Sequence, residues 1–144
     1  MKKICIASDH AGFELKEKIK ILLKHSGYEI TDFGTFSTES VDYPDMVHPL
    51  ASAVNQHLFE QGIIICGSGN GVSMVANKYS DVRCAVCWNS EIAVLSKLHN
   101  NSNILALPAR FITFEEAENI VNGFLNTEFE GGRHQKRVNK IKIG

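Results

Sequence analysis

The stretch Gly62-Ile63-Ile64-Ile65-Cys66-Gly67-Ser68-Gly69-Asn70-Gly71-Val72-Ser73-Met74-Val75-Ala76-Asn77-Lys78 decides the fold. Ile63, Ile64 and Ile65 form an unbroken β-branched run bounded by glycine, the pattern of a strand buried on both faces of a parallel sheet. Cys66 falls at its carboxyl end. Gly67, Gly69 and Gly71 permit a sharp turn that brings backbone close to a ligand, and a helix over 72–77 would point its unpaired N–H groups at that turn. Such a junction is an anion cradle. Val72 and Ser73 follow the last glycine, so the third glycine of the dinucleotide fingerprint is missing, and Lys78 lies too far along for a Walker A lysine. A nucleotide is therefore disfavoured. Glu91, at about the distance of a ribose-binding acid, is a coincidence of spacing. The bland alternative is a turn that only packs strand on helix.

The same alternation extends to both sides. Residues 3–7 read as a strand ending at Ser8-Asp9-His10-Ala11-Gly12. Residues 13–24 follow as an amphipathic helix with Leu15, Ile19, Leu22 and Leu23 on one side, stopped by Gly27. A second strand over 28–33 leads through a polar loop, 34–42, to a helix over 45–60, in which Pro49 marks either the true start or a kink. After the central stretch come a strand over 82–87 and a helix over 90–99, capped by Asn89 or Ser90 and with Asn100-Asn101 suited to a left-handed exit. A fifth strand covers 103–107. Thr113-Phe114-Glu115-Glu116 has the spacing of a capping box and opens a helix with Phe114, Ala117, Val121, Phe124 and Leu125 on its inner face. Gly131-Gly132 then breaks the chain before a short basic helix or tail over 133–142. Five strands alternating with helices predict a doubly wound α/β fold, a parallel sheet covered on both faces with right-handed crossovers. Ligands of such folds sit beyond the carboxyl ends of the strands, which puts Asp9, His10, Cys66 to Gly71, and Arg110 on one rim.

The chain has 144 residues, enough for one domain (1–144) around a single core. A net charge of −1 argues against a general nucleic-acid or anionic-membrane surface, so any basic site must be local. Asp9 and His10 cut the first apolar run far short of a signal peptide, and no segment is long enough to span a bilayer. Cys5, Cys66, Cys84 and Cys87 read as reduced thiols of a cytoplasmic protein, with no structural disulfide. Cys84-x-x-Cys87 has the look of a redox or metal motif. In a strand, however, an odd separation sends the two thiols to opposite faces, whereas a thiol-redox function needs both on one exposed face. No set of His, Cys and acids makes a metal site.

Cys66 is the sharpest candidate on the rim, because neighbouring amides and a helix N-terminus favour a thiolate that serves as base or nucleophile. A packed small residue is the alternative. Asp9 can orient a hydroxyl or a histidine, or simply cap a helix, and His10 can donate to a phosphate. His99 closes a helix, where the dipole favours an imidazolium. Arg133 and Arg137, four apart, set two guanidinium groups on one helical face, which suits a phosphate; a solvated basic face is the alternative. Together these groups suggest a metal-free acid/base site with a phosphate cradle and an amide nest for an enediolate oxygen. Proton abstraction next to a carbonyl is the matching reaction.

Ser8-Asp9-His10-Ala11-Gly12, Asp42-Tyr43-Pro44, Cys66-Gly67-Ser68-Gly69-Asn70-Gly71, Ala76-Asn77-Lys78, Leu98-His99-Asn100 and Glu130-Gly131-Gly132-Arg133-His134-Gln135-x-Arg137 occur in that order. Together they span nearly the whole chain, which closely resembles the type B ribose-5-phosphate isomerase family, a family that includes allose-6-phosphate and galactose-6-phosphate isomerases. The resemblance implies a Rossmann-like three-layer α/β/α subunit with a five-stranded parallel sheet and a C-terminal basic helix. It also implies a homodimer, or a homotetramer, with active sites at the subunit boundary and the tail 128–144 packed on the partner. No cofactor, metal, nucleic acid or membrane is implied. Carried over by position, Cys66 resembles the base that shuttles a proton between C1 and C2, and Gly67, Gly69, Asn70 and Gly71 the enediolate cradle. Ser68 corresponds to the residue assisting proton movement between sugar oxygens. His99 resembles the ring-opening acid, with Asp9 at the ring oxygen and Tyr43 and Asn100 holding hydroxyls. His10, Arg133 and Arg137 resemble the phosphate contacts, and Arg110 the remaining basic residue. Members without the cysteine use a glutamate directly after the last glycine; Val72 stands there, which assigns this chain to the cysteine branch. The expected reaction is interconversion of ribose 5-phosphate and ribulose 5-phosphate. The rivals are a six-carbon phosphosugar isomerase acting on allose or galactose 6-phosphate, and a non-catalytic sugar-phosphate sensor.

Overall fold

The computed structural model describes residues 2–143. Strands and helices alternate: β1 (Lys2–Ser8), α1 (Phe13–His25), β2 (Tyr28–Asp32), α2 (Tyr43–Asn55), β3 (Gly62–Cys66), α3 (Asn70–Ala76), β4 (Cys84–Val86), α4 (Ser90–Asn100), β5 (Ile104–Pro108), α5 (Phe114–Leu125) and α6 (Arg133–Asn139). All strand pairs are parallel, in the order β2-β1-β3-β5-β4, so β3 lies at the centre with Ile63 opposite Ile6 on one side and Leu105 on the other. Every residue of β3 is buried, as its β-branched run requires.

The two-residue period of the strands sorts their side chains into two cores. Ile4, Ile6, Ile63, Ile65, Leu105 and Leu107 face α1, α4 and α5, where Ile19, Leu23, Ala93, Ile120 and Phe124 cover them. Ala7, Ile64, Ile104 and Ala106 face α2 and α3, under Leu50, Ala51, Val54, Val72 and Ala76. Each isoleucine of β3 gains about 1.5–3 kcal/mol from this burial. The result is the three-layer α/β/α sandwich with a basic C-terminal helix. Because α1 leaves β1 toward one face and α3 leaves β3 toward the other, a crevice opens between the carboxyl ends of these neighbouring strands.

Several boundaries depart from the sequence expectation. Helix α2 starts at Tyr43, with Pro44 in its first turn where a missing N–H leaves nothing unpaired, and runs through Pro49, which is not its start. It ends at Asn55, since His57 adopts a left-handed backbone (φ 63°), and Leu58 falls outside it and is exposed. Strand β4 is three residues, not six; it is an edge paired only with β5, and the Arg83 and Cys84 N–H groups go to the side-chain oxygens of Asn103 and Asn77. Cys84 packs against the α2/α3 core and Cys87 in the opposite one, so the two thiols do point to opposite faces, and all four cysteines are free. Asn89 caps α4 by accepting from the Ile92 N–H, and Asn101, not Asn100, takes the left-handed exit. The Thr113/Glu116 capping box forms, but Phe114 beside it is partly exposed and Ile120 fills the inner face. No helix among the described residues is long and apolar enough to cross a membrane.

Candidate active site

The carboxyl ends of β1, β3 and β5 meet in a web of backbone hydrogen bonds. The Asp9 N–H donates to the Ile65 carbonyl (3.2 Å), the Ala109 N–H to the Cys66 carbonyl (2.9 Å) and the Arg110 N–H to the Gly67 carbonyl (3.0 Å). These bonds carry Asp9, Cys66 and Arg110 to one crevice. It is a cavity of about 450 Å³ with Asp9, His10, Tyr43, Cys66, Ser68 and Arg110 around it, Gly67 and Gly71 in its wall and Phe111 at the lip. A volume of this order suits a small phosphorylated metabolite.

Cys66 is nearly buried (6% exposed), and its Sγ accepts the Gly69 N–H at 3.1 Å. Gly69 reaches that position with a left-handed backbone (φ 77°) that also makes it the N-cap of α3, which therefore begins at Asn70 rather than Val72. Gly71 serves a different purpose: a Cβ there would sit 2.6 Å from Tyr43 Cζ, so the absence of a side chain admits the tyrosine ring to the cavity wall. Burial pushes Cys5 up to about 12 and Cys87 to about 11, and it raises Cys84 as well.

Asp9 is also buried, and its Oδ1 accepts the Gly12 N–H at 3.1 Å across the turn into α1. His10 Nδ1 accepts the Val41 N–H at 3.2 Å, which fixes the neutral tautomer with its proton on Nε2. The loop carrying Val41 is clipped to β1 by the Ser8 N–H to Gly34 carbonyl bond (2.7 Å) and the Thr35 N–H to Ser8 carbonyl bond (2.8 Å). Beneath that loop the Lys16 ammonium, fully buried, pairs with Asp32, which also takes Lys20 at 2.9 Å and the Gly34 N–H at 2.8 Å. Burial alone would raise the Asp32 carboxyl; the hydrogen bonds from Lys16, Lys20 and Gly34 outweigh it and hold the group below the usual carboxylate range.

The remaining candidates lie elsewhere. Helix α4 starts beyond the carboxyl end of β4 and runs back for eleven residues, roughly 16 Å, so His99 and Asn100 arrive at the amino edge of the sheet. The loop after them confirms the location, since the Asn103 carbonyl accepts the N–H of Gly62, the first residue of β3. Asn100 lines a separate cavity of about 460 Å³ beside β4. The His99 ring stacks on His134 of α6 (centroids 4.3 Å apart, planes 17° apart), and the Glu130 N–H donates to the Leu98 carbonyl, which ties the tail to α4. Arg133 and Arg137 share α6, with Arg137 Nη1 donating to the Arg133 carbonyl at 2.9 Å. One chain thus brings together Asp9, His10, Tyr43, Cys66, Ser68, Arg110 and the glycine turn, and leaves His99, Asn100, Arg133 and Arg137 outside that cavity.

Sequence reasoning passed over two features. His134 is buried, with Nε2 lacking a partner, and burial, followed by His99, Arg133 and Arg137, lowers its imidazole below the ordinary value. His99, Glu130 and His134 each offer a ligand atom within 4.8 Å of the others. Linear spacing conceals this set because α6 folds back on α4 across the whole of β5 and α5. The block from Glu130 to Arg137 was the one signal available for it.

The sequence profile of the ribose/galactose isomerase family matches residues 4–141. Ribose-5-phosphate isomerase B of Escherichia coli (strain K12) is 44% identical over 141 residues, 98% of this chain and 95% of that protein. Ribose-5-phosphate isomerase B of Clostridium thermocellum superposes with a TM-score of 0.95 at 50% identity, over 96% of this chain and 94% of that one. Ribose-5-phosphate isomerase B of Mycoplasma genitalium, solved with bound ribulose-5-phosphate, gives a TM-score of 0.93 at 42% identity, over 96% and 93% of the two chains. An α/β chain with these matches and this rim is a sugar phosphate isomerase. It belongs to the ribose/galactose isomerase family, and relatives it resembles include ribose-5-phosphate isomerases B.

Proposed function

We propose that the protein interconverts D-ribose 5-phosphate and D-ribulose 5-phosphate through a cis-enediolate. It would act as a single-domain subunit of a homodimer whose sites are each built from both chains. The observation that carries the chemistry is Cys66 Sγ at the edge of the rim cavity, directed by the Gly69 N–H and surrounded by Asp9, His10, Tyr43 and Ser68. The likeness to a relative solved with ribulose-5-phosphate supports the choice of sugar.

The steps follow from the groups. His99, supplied by the second chain, donates a proton to the furanose ring oxygen, beside which Asp9 lies; the bond from that oxygen to C1 breaks, the O1 hydroxyl gives up its proton to water, and the C1 carbonyl is freed. Cys66 takes the C2 proton and returns it to C1. The amides of residues 67–71 hold the enediolate oxygen, and Ser68 moves a proton between O1 and O2. His10 Nε2–H donates to the phosphate, Arg110 and the second chain's Arg133 and Arg137 neutralise it, and Tyr43 and Asn100 hold hydroxyls. Val72, buried behind the turn, leaves Cys66 as the base. The tail 128–144 packs on the partner in this assembly. No metal or cofactor enters the chemistry, and four free thiols fit a cytoplasmic protein.

The test is NMR of ribose 5-phosphate and, separately, allose 6-phosphate incubated with the protein in D₂O, with Cys66→Ala as control. Deuterium should enter C1 or C2 as ketose forms, at a rate ~10²–10⁴-fold lower in the variant. Exchange with allose 6-phosphate alone would replace the substrate by a six-carbon one. Binding of both sugars without exchange would replace the isomerase by a sensor.

A further inference from the structure

The group His99, Glu130 and His134 joins two imidazoles and a carboxylate at the amino edge of the sheet. It is the one such group of three or more possible metal ligands among the described residues. We propose that it is a binding site for a divalent transition-metal ion of the zinc class, and that occupancy inhibits the protein by removing His99 from catalysis. The inhibition rests on the function proposed above; the binding does not.

Two observations point to a ligand. The three donor atoms already lie within 4.8 Å of one another, although they come from the end of α4, the loop before α6 and α6 itself. His134 is buried except for 8% of its surface, yet its Nε2 has no hydrogen-bond partner, an uncommon condition for a buried imidazole nitrogen. Two nitrogens and one carboxylate oxygen make the three-ligand set of an open zinc site, with a fourth position free for water or a substrate oxygen. Calcium and magnesium prefer all-oxygen surroundings and fit poorly.

Tetrahedral coordination at ~2.0–2.2 Å brings donors to roughly 3.3–3.6 Å apart, so each pair must close by up to about 1.5 Å. Freedom for that movement exists. Glu130 is exposed and followed by Gly131 and Gly132, both with positive φ, while the Glu130 N–H anchor on the Leu98 carbonyl keeps it beside α4. A metal lies in the plane of each imidazole it binds, so one ring must turn out of the stack that now holds His99 against His134. Coordination therefore blocks the His99 nitrogen and moves its ring at once.

The experiment is calorimetric titration of the intact protein with zinc chloride, with cobalt(II) absorption as a report of coordination number. It is run on the wild type, Glu130→Gln and Cys66→Ala, and ribose 5-phosphate turnover is measured with and without metal. One zinc per chain is expected, with affinity reduced about tenfold or more in Glu130→Gln and unchanged in Cys66→Ala. Glu130→Gln should keep its metal-free turnover and resist inhibition by zinc. An affinity that follows Cys66 instead, or one indifferent to Glu130, would overturn the site. Binding with the expected stoichiometry but no turnover in any sample would leave the metal site standing and refute the isomerase.

Discussion

Chains carrying Cys66→Ala and chains carrying His99→Asn, each inactive alone, should restore activity to one another when co-expressed. The expectation follows from distance. A general acid must come within ~2.6–3.2 Å of the atom it protonates, or reach it through one water. Helix α4 carries His99 roughly 14 Å along its axis from its start at the carboxyl rim, where Cys66 lies, and no rotamer of a histidine spans that gap. A dimer with two-fold symmetry repairs it twice, setting the amino edge of each chain against the rim of the other. In a heterodimer of the two variants, one site receives both substitutions and the other receives neither. Random pairing makes half the dimers heterodimers with one working site in two, so a 1:1 mixture should show ~25% of wild-type turnover per chain. Each parent should sit near 1% or below, the usual loss on removing a general acid or base. The assay is ketose formation from ribose 5-phosphate, with native mass spectrometry confirming that heterodimers are present. A mixture no more active than the sum of its parents, with heterodimer demonstrated, would refute the shared site and require His99 to act within its own chain or not at all.

Gly71→Ala should push Tyr43 from the cavity wall, since the new Cβ would lie 2.6–2.9 Å from three atoms of that side chain; loss of one hydroxyl contact predicts roughly a tenfold fall in kcat/KM, matched by Tyr43→Phe and read by steady-state kinetics. Lys16→Met leaves Asp32 with Lys20 and the Gly34 N–H and should cost about 3 kcal/mol in urea unfolding, the lower end for breaking a buried pair. The folded Asp32 carboxyl is held below its unfolded value, so its stabilisation is present above about pH 4 and lost as pH falls through the lowered value. The stability of Lys16→Met should therefore fall less steeply than wild type in that acid range. Iodoacetamide at neutral pH should label Cys66 before Cys5 and Cys87, whose thiols burial holds at about 12 and about 11, as peptide mass mapping would show.

Much of this was legible in the sequence because the signals were local. The run Ile63-Ile64-Ile65 followed by glycines fixed a buried strand and a turn, and the rim residues Asp9, Cys66 and Arg110 followed from strand ends alone. The Thr113/Glu116 capping box was legible for the same reason, its two hydrogen bonds being satisfied within four residues. What escaped was decided at long range. Helix α2 stops at Asn55 because of the reversed backbone at His57, which no apolar period announces. Strand β4 is short because Asn77 and Asn103 claim the N–H groups at its start. Phe114 faces outward because α5 buries Ile120 against α4 and the sheet. The meeting of His99 with His134 depends on how α6 returns, information that resides in packing and not in spacing.

The topology itself explains why the candidate residues fall into two sets. In a parallel sheet every helix that follows a strand returns to the opposite edge, so a residue at the end of such a helix belongs to the wrong rim for its own chain's crevice. His99 and Asn100 end α4, and α6 is held beside them, which puts both arginines there as well. Cys66 ends a strand, and Asp9, His10 and Arg110 lie within two residues of one, so all four stay on the carboxyl rim. Under the mechanism we propose, one chain alone therefore has a base without its acid, and one phosphate contact set without the other. For that mechanism to run within a single chain, α4 would have to move by its own length against a core in which Ala93 is fully buried, whereas the second copy we propose would supply the same groups with no such movement.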